Sequence, residues 1–259
     1  MRNIIKHIPN TLTCANLVFG VYAIILSFSG NYPYAMIAIF TAALFDFTDG
    51  FAARLLKAFS PIGKDLDSLA DMVSFGIAPG MMLFCFLRDL ATALQWGNSL
   101  LLNVLMLCSF AIPVFSALRL AKFNIDTRQK TSFIGLPVPA HAILWASLLT
   151  ALVPSLKTGE VCLISRMDVF CFHVSPIILM SALSVLAIIT SLLLVSEIPM
   201  FSLKISSFSW KGNKQVIILF FTAVVFIALF GILGVSATMV FYILYNLRNL
   251  KNTVNKVST

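Results

Sequence analysis

The sequence predicts an all-α, polytopic membrane protein, a bundle of about eight transmembrane helices with both termini on the cytoplasmic side. Three observations predict it. Hydrophobic residues make up 59% of the 259 residues and charged residues only 11%, whereas about a quarter of a soluble domain is charged. Long runs contain no Asp, Glu, Lys or Arg. Most basic residues lie at the chain ends or in every second connection between predicted spans, which places them on one side of the membrane.

The charge-free runs define the individual spans. They are residues 8–45, 90–118, 131–156, 169–196 and 215–247. Because a helix needs about 20 mainly apolar residues to cross a bilayer, each run holds one or two spans. The predicted spans are residues 11–29, 34–54, 66–87, 99–121, 136–156, 173–195, 215–232 and 235–248. The turn-rich segment SGNYP joins the first two. Gly231 and Gly234 mark a break in the last run, which forms either two short helices or one long one.

The positions of Lys and Arg predict the orientation, because basic residues concentrate in short cytoplasmic loops. With eight spans and a cytoplasmic N-terminus, fifteen of the eighteen basic residues lie inside. These are Arg2, Lys6, Arg54, Lys57, Lys64, Arg119, Lys122, Arg128, Lys130, Lys204, Lys211, Lys214, Arg248, Lys251 and Lys256. The outer three are Arg88, Lys157 and Arg166. The basic residues therefore ring the membrane surface, which favours anionic lipid headgroups as partners and excludes nucleic acid.

Two further features yield structural expectations. The N-terminal segment MRNIIKHIPN lacks the pattern of a cleavable signal peptide, and we interpret it as a short interfacial helix or a frayed terminus. The five cysteines show no CxxC or zinc-site spacing, so we expect small buried hydrophobic residues at all five positions. They are Cys14, Cys85, Cys108, Cys162 and Cys171.

Four aspartates follow helical spacing on two neighbouring spans. Asp46 and Asp49 are three residues apart and share one face of the second span. Asp67 and Asp71 are four residues apart near the start of the third span. A hairpin through KAFSPIGK would bring the two faces together. Aspartates at helix ends often only offset the helix dipole. That explanation suits Asp67 alone but not Asp46, which lies about twelve residues into an apolar helix.

Carboxylates gathered at the edge of the hydrocarbon region need positive charge beside them, since an uncompensated charge in a spanning helix costs at least about 2.5 kcal/mol. Arg54 and Lys64 can contribute two charges. Oxygen-only ligands suit Mg²⁺ or Mn²⁺ for the rest, and the absence of His and Cys argues against zinc. Gly50 and Ala53 leave room for a bulky group, and Arg54 can bind a phosphate oxygen. The pattern therefore indicates phosphoryl-transfer chemistry.

The full pattern resembles the signature of the CDP-alcohol phosphatidyltransferase family: Asp46-x2-Asp49-Gly50-x2-Ala53-Arg54-x8-Gly63-x3-Asp67-x3-Asp71. The resemblance implies a spanning-helix bundle, usually a homodimer, that binds two divalent metals. It also implies transfer of a phosphate-linked group from a CDP-alcohol to a hydroxyl, with release of CMP. All four aspartates would be metal ligands, and Asp71 would also be the general base. The donor site would comprise Gly50, Ala53, Arg54, Gly63 and Lys64.

Flanking segments narrow the resemblance. Residues 8–20, 68–80, 117–124 and 133–140 are similar to segments of the membrane-embedded bacterial and archaeal phosphatidylserine synthases. This similarity covers about residues 1–140, the expected catalytic core, and leaves residues 141–259 as additional spans of a single transmembrane domain. It implies CDP-diacylglycerol as donor and L-serine as acceptor. The distribution of basic residues predicts that the site faces the cytoplasm, at the inner membrane. Polar residues able to complete an acceptor or phosphate pocket, or else to form interhelical hydrogen bonds, are Arg119, Lys122, Asn124, Asn10, Thr13, Asn16 and Ser74.

Three alternatives remain open at this stage. Within the family, the acceptor could be glycerol 3-phosphate or an inositol phosphate, both of which would need a denser basic cluster. From a different class, intramembrane carboxylates could mark a cation transporter. Transporters tend to carry such groups near the midplane with repeat symmetry, which the sequence lacks. A catalytically silent scaffold is the third alternative, and the intact aspartate motif gives it no support.

Overall fold

A computed structural model of the chain describes residues 7–58, 60–93, 99–125, 133–158, 160–165, 168–172, 175–200 and 210–257. The helices are α1 (Ile8–Phe28), α2 (Tyr32–Leu55), α3 (Pro61–Asp71), a π-helical segment (Met72–Ile77), α4 (Ala78–Ala93), α5 (Leu100–Leu107), a 3₁₀ turn (Cys108–Phe110), α6 (Ala111–Ile125), α7 (Val138–Ala151), α8 (Ser155–Thr158), α9 (Pro176–Val195), α10 (Trp210–Phe230) and α11 (Ile232–Val257). The short strands are β1 (Phe133–Ile134), β2 (Val161–Ile164), β3 (Val169–Phe172) and β4 (Pro199–Met200).

The helices confirm the all-α class and an integral membrane protein. Among the described residues, five helices are long and apolar enough to cross a bilayer: Ile8–Phe28, Tyr32–Leu55, Ile62–Ala93, Leu100–Ile125 and Pro176–Val195. Three shorter apolar helices, Val138–Ala151, Gln215–Phe230 and Ile232–Arg248, coincide with the other predicted spans. The count of eight and the orientation stay predictions. The expected N-terminal interfacial helix lies largely outside the described residues, as do Arg2, Lys6, Arg128, Lys130, Arg166 and Lys204.

Helix α1 packs closely against its neighbours because small side chains line its buried face. This face repeats every three or four residues and comprises Pro9, Thr13, Asn16, Gly20, Ala23 and Ser27. Small residues at such spacing allow close helix contact in membranes. At Gly20, a Cβ atom would lie 2.7 Å from the Cα of Ser74, so the two backbones could not approach this closely with any larger residue. The contact holds Thr13 and Asn16 against α2 and α3.

The third membrane pass changes its helical form at the level of the aspartates. Ser60 caps α3 by accepting a hydrogen bond from the Gly63 N–H at 3.1 Å. After Asp71 the helix widens into the π-helical segment, which ends two residues before Pro79. Proline cannot donate to the carbonyl four residues earlier, and a π turn accommodates such an interruption. Across this segment Ser74 faces α1 and Gly76 faces Ser116 of α6.

A polar contact joins the helices at the end of the bundle away from Asp46. The Tyr32 hydroxyl at the start of α2 donates to Asp89 near the end of α4 at 2.5 Å. Asp89 also accepts two hydrogen bonds from the Arg88 guanidinium. Between this contact and the aspartates of the other end lies a fully buried apolar core that includes Phe75, Met82 and Trp145.

The cysteine prediction is confirmed for Cys85 alone and is wrong for the other four residues. Strands β2 and β3 form an antiparallel hairpin in which Cys162 faces Cys171, and the two form a disulfide. Both residues lie in this hairpin between α8 and α9, outside the apolar helices, and cysteine spacing alone does not specify pairing. Cys85 is buried as expected, whereas Cys14 is exposed and Cys108 is half-buried.

Helices α10 and α11 form an antiparallel pair at the C-terminal end. Gly231, with φ of +60°, reverses the chain between them, as the predicted break requires. Helix α11 packs along α7, where the hydroxyls of Ser147 and Ser236 share a hydrogen bond of 2.7 Å. The pair is thereby attached to α7, whose N-terminal end reaches the aspartates.

Candidate functional site

Three carboxylates from two helices meet at one end of the bundle. One carboxylate oxygen each from Asp46, Asp49 and Asp67 lies within 4.8 Å of the others. The turn between α2 and α3 reverses the chain through Lys57, which has a left-handed φ of 51°. This reversal brings the aspartate-bearing faces of the two helices together, as the hairpin prediction expected. Asp49 is only 5% exposed and the other two are half-buried.

Asp71 lies one helical turn beyond Asp67 and outside that set of three. It remains close enough to Asp46 and Asp67 for their charges to interact. The Asn16 side-chain amide donates to Asp71 Oδ1 at 3.2 Å. The Oδ1 atom of Asn16 is buried and has no hydrogen-bond partner among the described residues. Asn16 therefore orients the Asp71 carboxylate and presents a buried acceptor beside it.

Thr13 performs the corresponding role for Asp49. Its hydroxyl lies 2.6 Å from Asp49 Oδ2 and 3.0 Å from the backbone oxygen of Pro9. Hydrogen bonds to a carboxylate are stronger than those to a neutral oxygen, so the contact with Asp49 dominates. Helix α1 thus supplies one polar side chain to each aspartate-bearing helix.

Within the part of the chain that the structure describes, the carboxylates of this cluster have no ion-pair partner, since no Lys or Arg nitrogen there lies within ion-pairing distance of the four. Arg54 and Lys64 are exposed, and Lys64 Nζ donates to the backbone oxygen of Asn124 at 3.2 Å. Closely spaced carboxylates in a low-dielectric region repel each other strongly. An oxygen-only donor set with this charge fits a hard divalent cation.

A cavity of about 630 Å³ adjoins the carboxylates, a size typical of small-molecule sites. Its wall includes Asp46, Asp49 and Asp67 together with all five residues predicted to bind the donor: Gly50, Ala53, Arg54, Gly63 and Lys64. Apart from its chain neighbours and the backbone of its own helix, no described atom lies within 4 Å of where a Cβ would stand on Gly50. The aspartate-bearing face of α2 therefore borders open space large enough for a ligand.

The residues predicted for an acceptor pocket divide into two groups. Asn10 and Thr13 line the cavity, whereas Asn16, Ser74, Arg119, Lys122 and Asn124 do not. Ser74 donates to the Asn16 backbone oxygen at 2.9 Å, and Asn124 donates to Ser68 at 2.9 Å, so both form the interhelical hydrogen bonds of the alternative interpretation. Lys122 reaches the Val195 backbone oxygen at 3.4 Å. Arg119 is 5% exposed, with its guanidinium 5.1 Å from the Phe123 ring centre.

Several cavity residues were not predicted from the sequence. They are Pro9, Phe47, Ala58, Ser60, Pro137, Pro139, Ala140, Ile143, Leu219, Met239 and Tyr242. Pro137, Pro139 and Ala140 lie in a segment already noted for its family similarity, which was the available signal. Leu219, Met239 and Tyr242 come from the charge-free stretch 215–247, where no spacing or charge distinguishes one residue from the next.

Comparisons with known proteins agree with the motif. The family model described as CDP-alcohol phosphatidyltransferase matches residues 6–169. The CDP-diacylglycerol–serine O-phosphatidyltransferase of Bacillus subtilis (strain 168) is 38% identical over 134 residues, covering 52% of this chain and 70% of the relative. The enzyme of the same name from Helicobacter pylori (strain J99) is 33% identical over 138 residues. The archaetidylserine synthase of Methanothermobacter thermautotrophicus is 33% identical over 142 residues.

The last two matches span only about half of each relative. They cover 54% of the Helicobacter protein and 56% of the Methanothermobacter protein. The family match ends at residue 169, before α9, α10 and α11 begin. The similarity therefore concerns the part of the chain that carries the four aspartates.

Replacing Asp67 by Asn should weaken divalent-cation binding and leave the metal-free fold intact. The substitution removes one of three converging charges, so thermal stability in EDTA should equal or exceed that of the wild type. Affinity for Mn²⁺ should fall at least about tenfold, since even outer-shell changes cost about 10–100-fold. The Mn²⁺ affinity is measured by a titration in which the EPR signal reports the concentration of free Mn²⁺. Asp65→Asn, an exposed aspartate on the same helix, is the control. Unchanged Mn²⁺ affinity in Asp67→Asn would contradict the metal site.

Proposed function

The chain belongs to the CDP-alcohol phosphatidyltransferase family, and from that premise we propose that it transfers the phosphatidyl group of CDP-diacylglycerol to L-serine, producing phosphatidylserine and CMP. The observation that carries the proposal is the convergence of Asp46, Asp49 and Asp67 on a cavity of about 630 Å³. The choice of donor and acceptor is supported by relatives named as CDP-diacylglycerol–serine O-phosphatidyltransferases.

The four aspartates Asp46, Asp49, Asp67 and Asp71 would hold two divalent ions, Mg²⁺ or Mn²⁺. Bound there, such ions neutralise the charge of a diphosphate and of the departing CMP. The unbalanced charge of the cluster and its oxygen-only composition support this assignment. The hydrogen bonds from Thr13 and Asn16 fix two of the carboxylates before any ligand arrives.

The cytidine diphosphate end of the donor would lie along α2. Gly50 and Ala53 leave open space beside the carboxylates, and Gly63 faces the same cavity. Arg54 and Lys64 stand at the exposed rim, where their charges can balance the remaining phosphate oxygens. Both cations can turn toward a ligand because their side chains are solvent-exposed. A cavity with carboxylates inside and cations at its rim is suited to a metal-bound diphosphate.

Asp71 is the proposed general base. It takes the proton of the serine hydroxyl onto its carboxylate, and the serine oxygen forms a bond to the phosphorus that bears diacylglycerol. The bond between this phosphorus and the bridging oxygen of the diphosphate breaks, and CMP leaves with the electron pair. The Asn16 amide holds one oxygen of Asp71, which leaves the other for the proton.

The serine itself needs acceptors for its ammonium group and a cation for its carboxylate. The buried Oδ1 of Asn16 beside Asp71 is a suitable acceptor. Arg119 is the proposed cation, because its helix α6 packs on the π-helical segment that follows Asp71 and its guanidinium is almost fully buried. Glycerol 3-phosphate or an inositol phosphate would present a phosphate in place of the carboxylate and would need more positive charge. Among the described residues, the other basic candidate, Lys122, is directed toward Val195.

A cation transporter is the alternative from another class. The carboxylates lie at one end of the bundle beside the α2–α3 turn, whereas transport sites tend to lie near the bilayer midplane. The cavity is also lined largely by apolar side chains, which suits a lipid better than a hydrated ion. Family membership supports transfer chemistry over transport.

The proposed location is the cytoplasmic membrane, with the aspartates facing the cytoplasm. Serine and CMP are water-soluble, and both belong on that side. The disulfide supports this orientation, because such bonds persist in oxidising compartments outside the cytosol. Its hairpin follows α8, which packs against α4, the helix that carries Asp89. The disulfide therefore belongs to the end of the bundle away from the aspartate cluster. The homodimer that the family resemblance implies stays a prediction.

CMP release by the purified protein tests the proposed activity. With CDP-diacylglycerol and Mn²⁺ or Mg²⁺ in detergent, release should depend on L-serine and stop with EDTA. Glycerol 3-phosphate and inositol phosphate, added separately, should give no release. Release driven by either of them would keep the family chemistry and reject serine. A folded protein that releases no CMP with any acceptor would favour transport or a silent scaffold.

Replacing Asp71 by Asn should lower serine-dependent CMP release at least about 100-fold, the usual contribution of a general base. The amide keeps the shape of the side chain and can still accept from Asn16, so the fold should persist. Steady-state rates measure the loss, and size-exclusion chromatography checks the fold. Asp65→Asn should match the wild type. An Asp71→Asn enzyme that keeps most of its activity would remove Asp71 from the mechanism.

The oxidation state of the hairpin tests the orientation. After rapid denaturation of cells without reductant, a maleimide should label Cys14, Cys85 and Cys108 but neither hairpin cysteine. Reduction before labelling should add two further sites, detected as a gel shift with a polymer-linked maleimide. In Cys162→Ser, the Cys171 thiol should label without reduction. Free thiols at both positions in the untreated wild type would argue against the proposed orientation.

A further inference from the structure

Part of the cavity wall comes from helices that lie outside the family match. Leu219 of α10 and Met239 and Tyr242 of α11 face the same cavity as Asp46, Asp49 and Asp67. Leu219 is 8% exposed and Tyr242 is 2% exposed, so both are enclosed by protein. Ile143 of α7 lines the wall as well. Among the described residues, α10 and α11 contribute no charged side chain to this wall.

The same cavity borders the lipid-facing surface. Phe47 on α2 lines the cavity and is 67% exposed. Its neighbours on that face, Leu44 and Phe51, are 61% and 55% exposed, as expected of a surface that faces acyl chains. Among the described elements, α10 packs extensively only on α11. An apolar path therefore leads from the carboxylates, past Phe47, to the bilayer.

We propose that α10 and α11 bind the acyl chains of the lipid donor, with Leu219, Met239 and Tyr242 as the contacting residues. The proposal rests on the proposed function, which assigns the opposite, charged part of the cavity to the cytidine diphosphate. When the diphosphate of the lipid donor binds at the aspartates, the two acyl chains of the donor must cross the apolar part of the cavity to reach the bilayer. Phe47, Ile143 and these three side chains belong to that apolar part.

The surrounding lipid is as apolar as the cavity wall, so moving an acyl chain from the lipid to the wall releases little free energy. The wall therefore distinguishes acyl chains by their shape. A fixed wall is therefore needed, and two features provide it. The Ser147–Ser236 hydrogen bond joins α11 to α7. Gly231 allows the tight reversal that holds α10 against α11.

Cysteine protection tests the assignment without relying on turnover. In a background with Cys14→Ser and Cys108→Ser, single variants Leu219→Cys and Met239→Cys report on the wall. Ala53→Cys reports on the nucleotide end, and Leu244→Cys, at an outward position that is 59% exposed, is the matched control on α11. Each is labelled with maleimide in detergent and Mn²⁺, alone, with CMP, or with dioleoyl-CDP-diacylglycerol.

The lipid donor should slow labelling of Leu219→Cys and Met239→Cys at least about tenfold, as expected for a site occupied more than nine-tenths of the time. CMP should leave both rates unchanged, and Leu244→Cys should respond to neither ligand. Protection of the wall by CMP would assign it to the nucleotide and overturn the proposal. Protection of Ala53→Cys alone would overturn it while sparing the proposed function. No protection at any position would reject donor binding, and with it both proposals.

Chain-length selectivity provides a second measurement. Met239→Trp should fill part of the apolar cavity and so disfavour the longer acyl chains. The rate of CMP release with the dioctanoyl donor, divided by the rate with the dioleoyl donor, should rise about tenfold, a difference typical of one or two methylene-sized contacts. Leu244→Trp on the outward face should keep the wild-type ratio. Because the readout is a ratio within one variant, partial loss of folded protein does not alter it. An unchanged ratio in both Met239→Trp and Leu219→Trp would show that the wall does not contact the chains.

Discussion

Repulsion among carboxylates at the edge of the hydrocarbon region is the constraint on which the rest of this structure depends. Asp46, Asp49 and Asp67 converge within 4.8 Å, and no described Lys or Arg forms an ion pair with them. Such an arrangement persists only if neighbouring helices hold it in position. Helix α1 does so through its buried stripe of small and polar residues. The close approach of Gly20 to Ser74 holds α1 against the third pass, where Asn16 contacts Asp71. Thr13 on the same face of α1 contacts Asp49.

The same constraint explains why the third pass is irregular where it is. A regular α-helix through Pro79 would lose a backbone hydrogen bond to Phe75 within the membrane, where water cannot replace it. The π-helical segment absorbs this interruption directly after Asp71. It also allows Ser74 to face α1 and Gly76 to face α6 within less than one turn. The irregular turn thus packs one helix against two neighbours at the level of the site.

The sequence predicted those parts that depend on local spacing. Helical offsets of three and four residues were enough to expect Asp46 and Asp49 on one face, and the α2–α3 turn brought that face to Asp67. Depth in the membrane was a weaker guide. Lys122 and Asn124 lie near the expected level, yet they contact Val195 and Ser68 because depth does not specify the direction of a side chain. The Cys162–Cys171 pairing depended on a hairpin that apolar periodicity does not reveal. The contribution of Leu219 and Met239 arose from packing between distant spans, for which one sequence has no signal.

The boundary of the family match follows a chemical boundary in the molecule. Every carboxylate of the cluster lies within residues 6–169, as do Gly50, Ala53 and Arg54. The apolar side chains that complete the cavity from α10 and α11 lie beyond that range. Transfer of a phosphate-linked group needs the same charges whatever lipid is attached, because the reacting atoms are the same. The part of the cavity away from the reacting atoms does not need these charges. The shape of its walls can therefore change without any change in the position of an aspartate. A cavity built from two such parts can keep one chemistry while it accommodates a particular lipid.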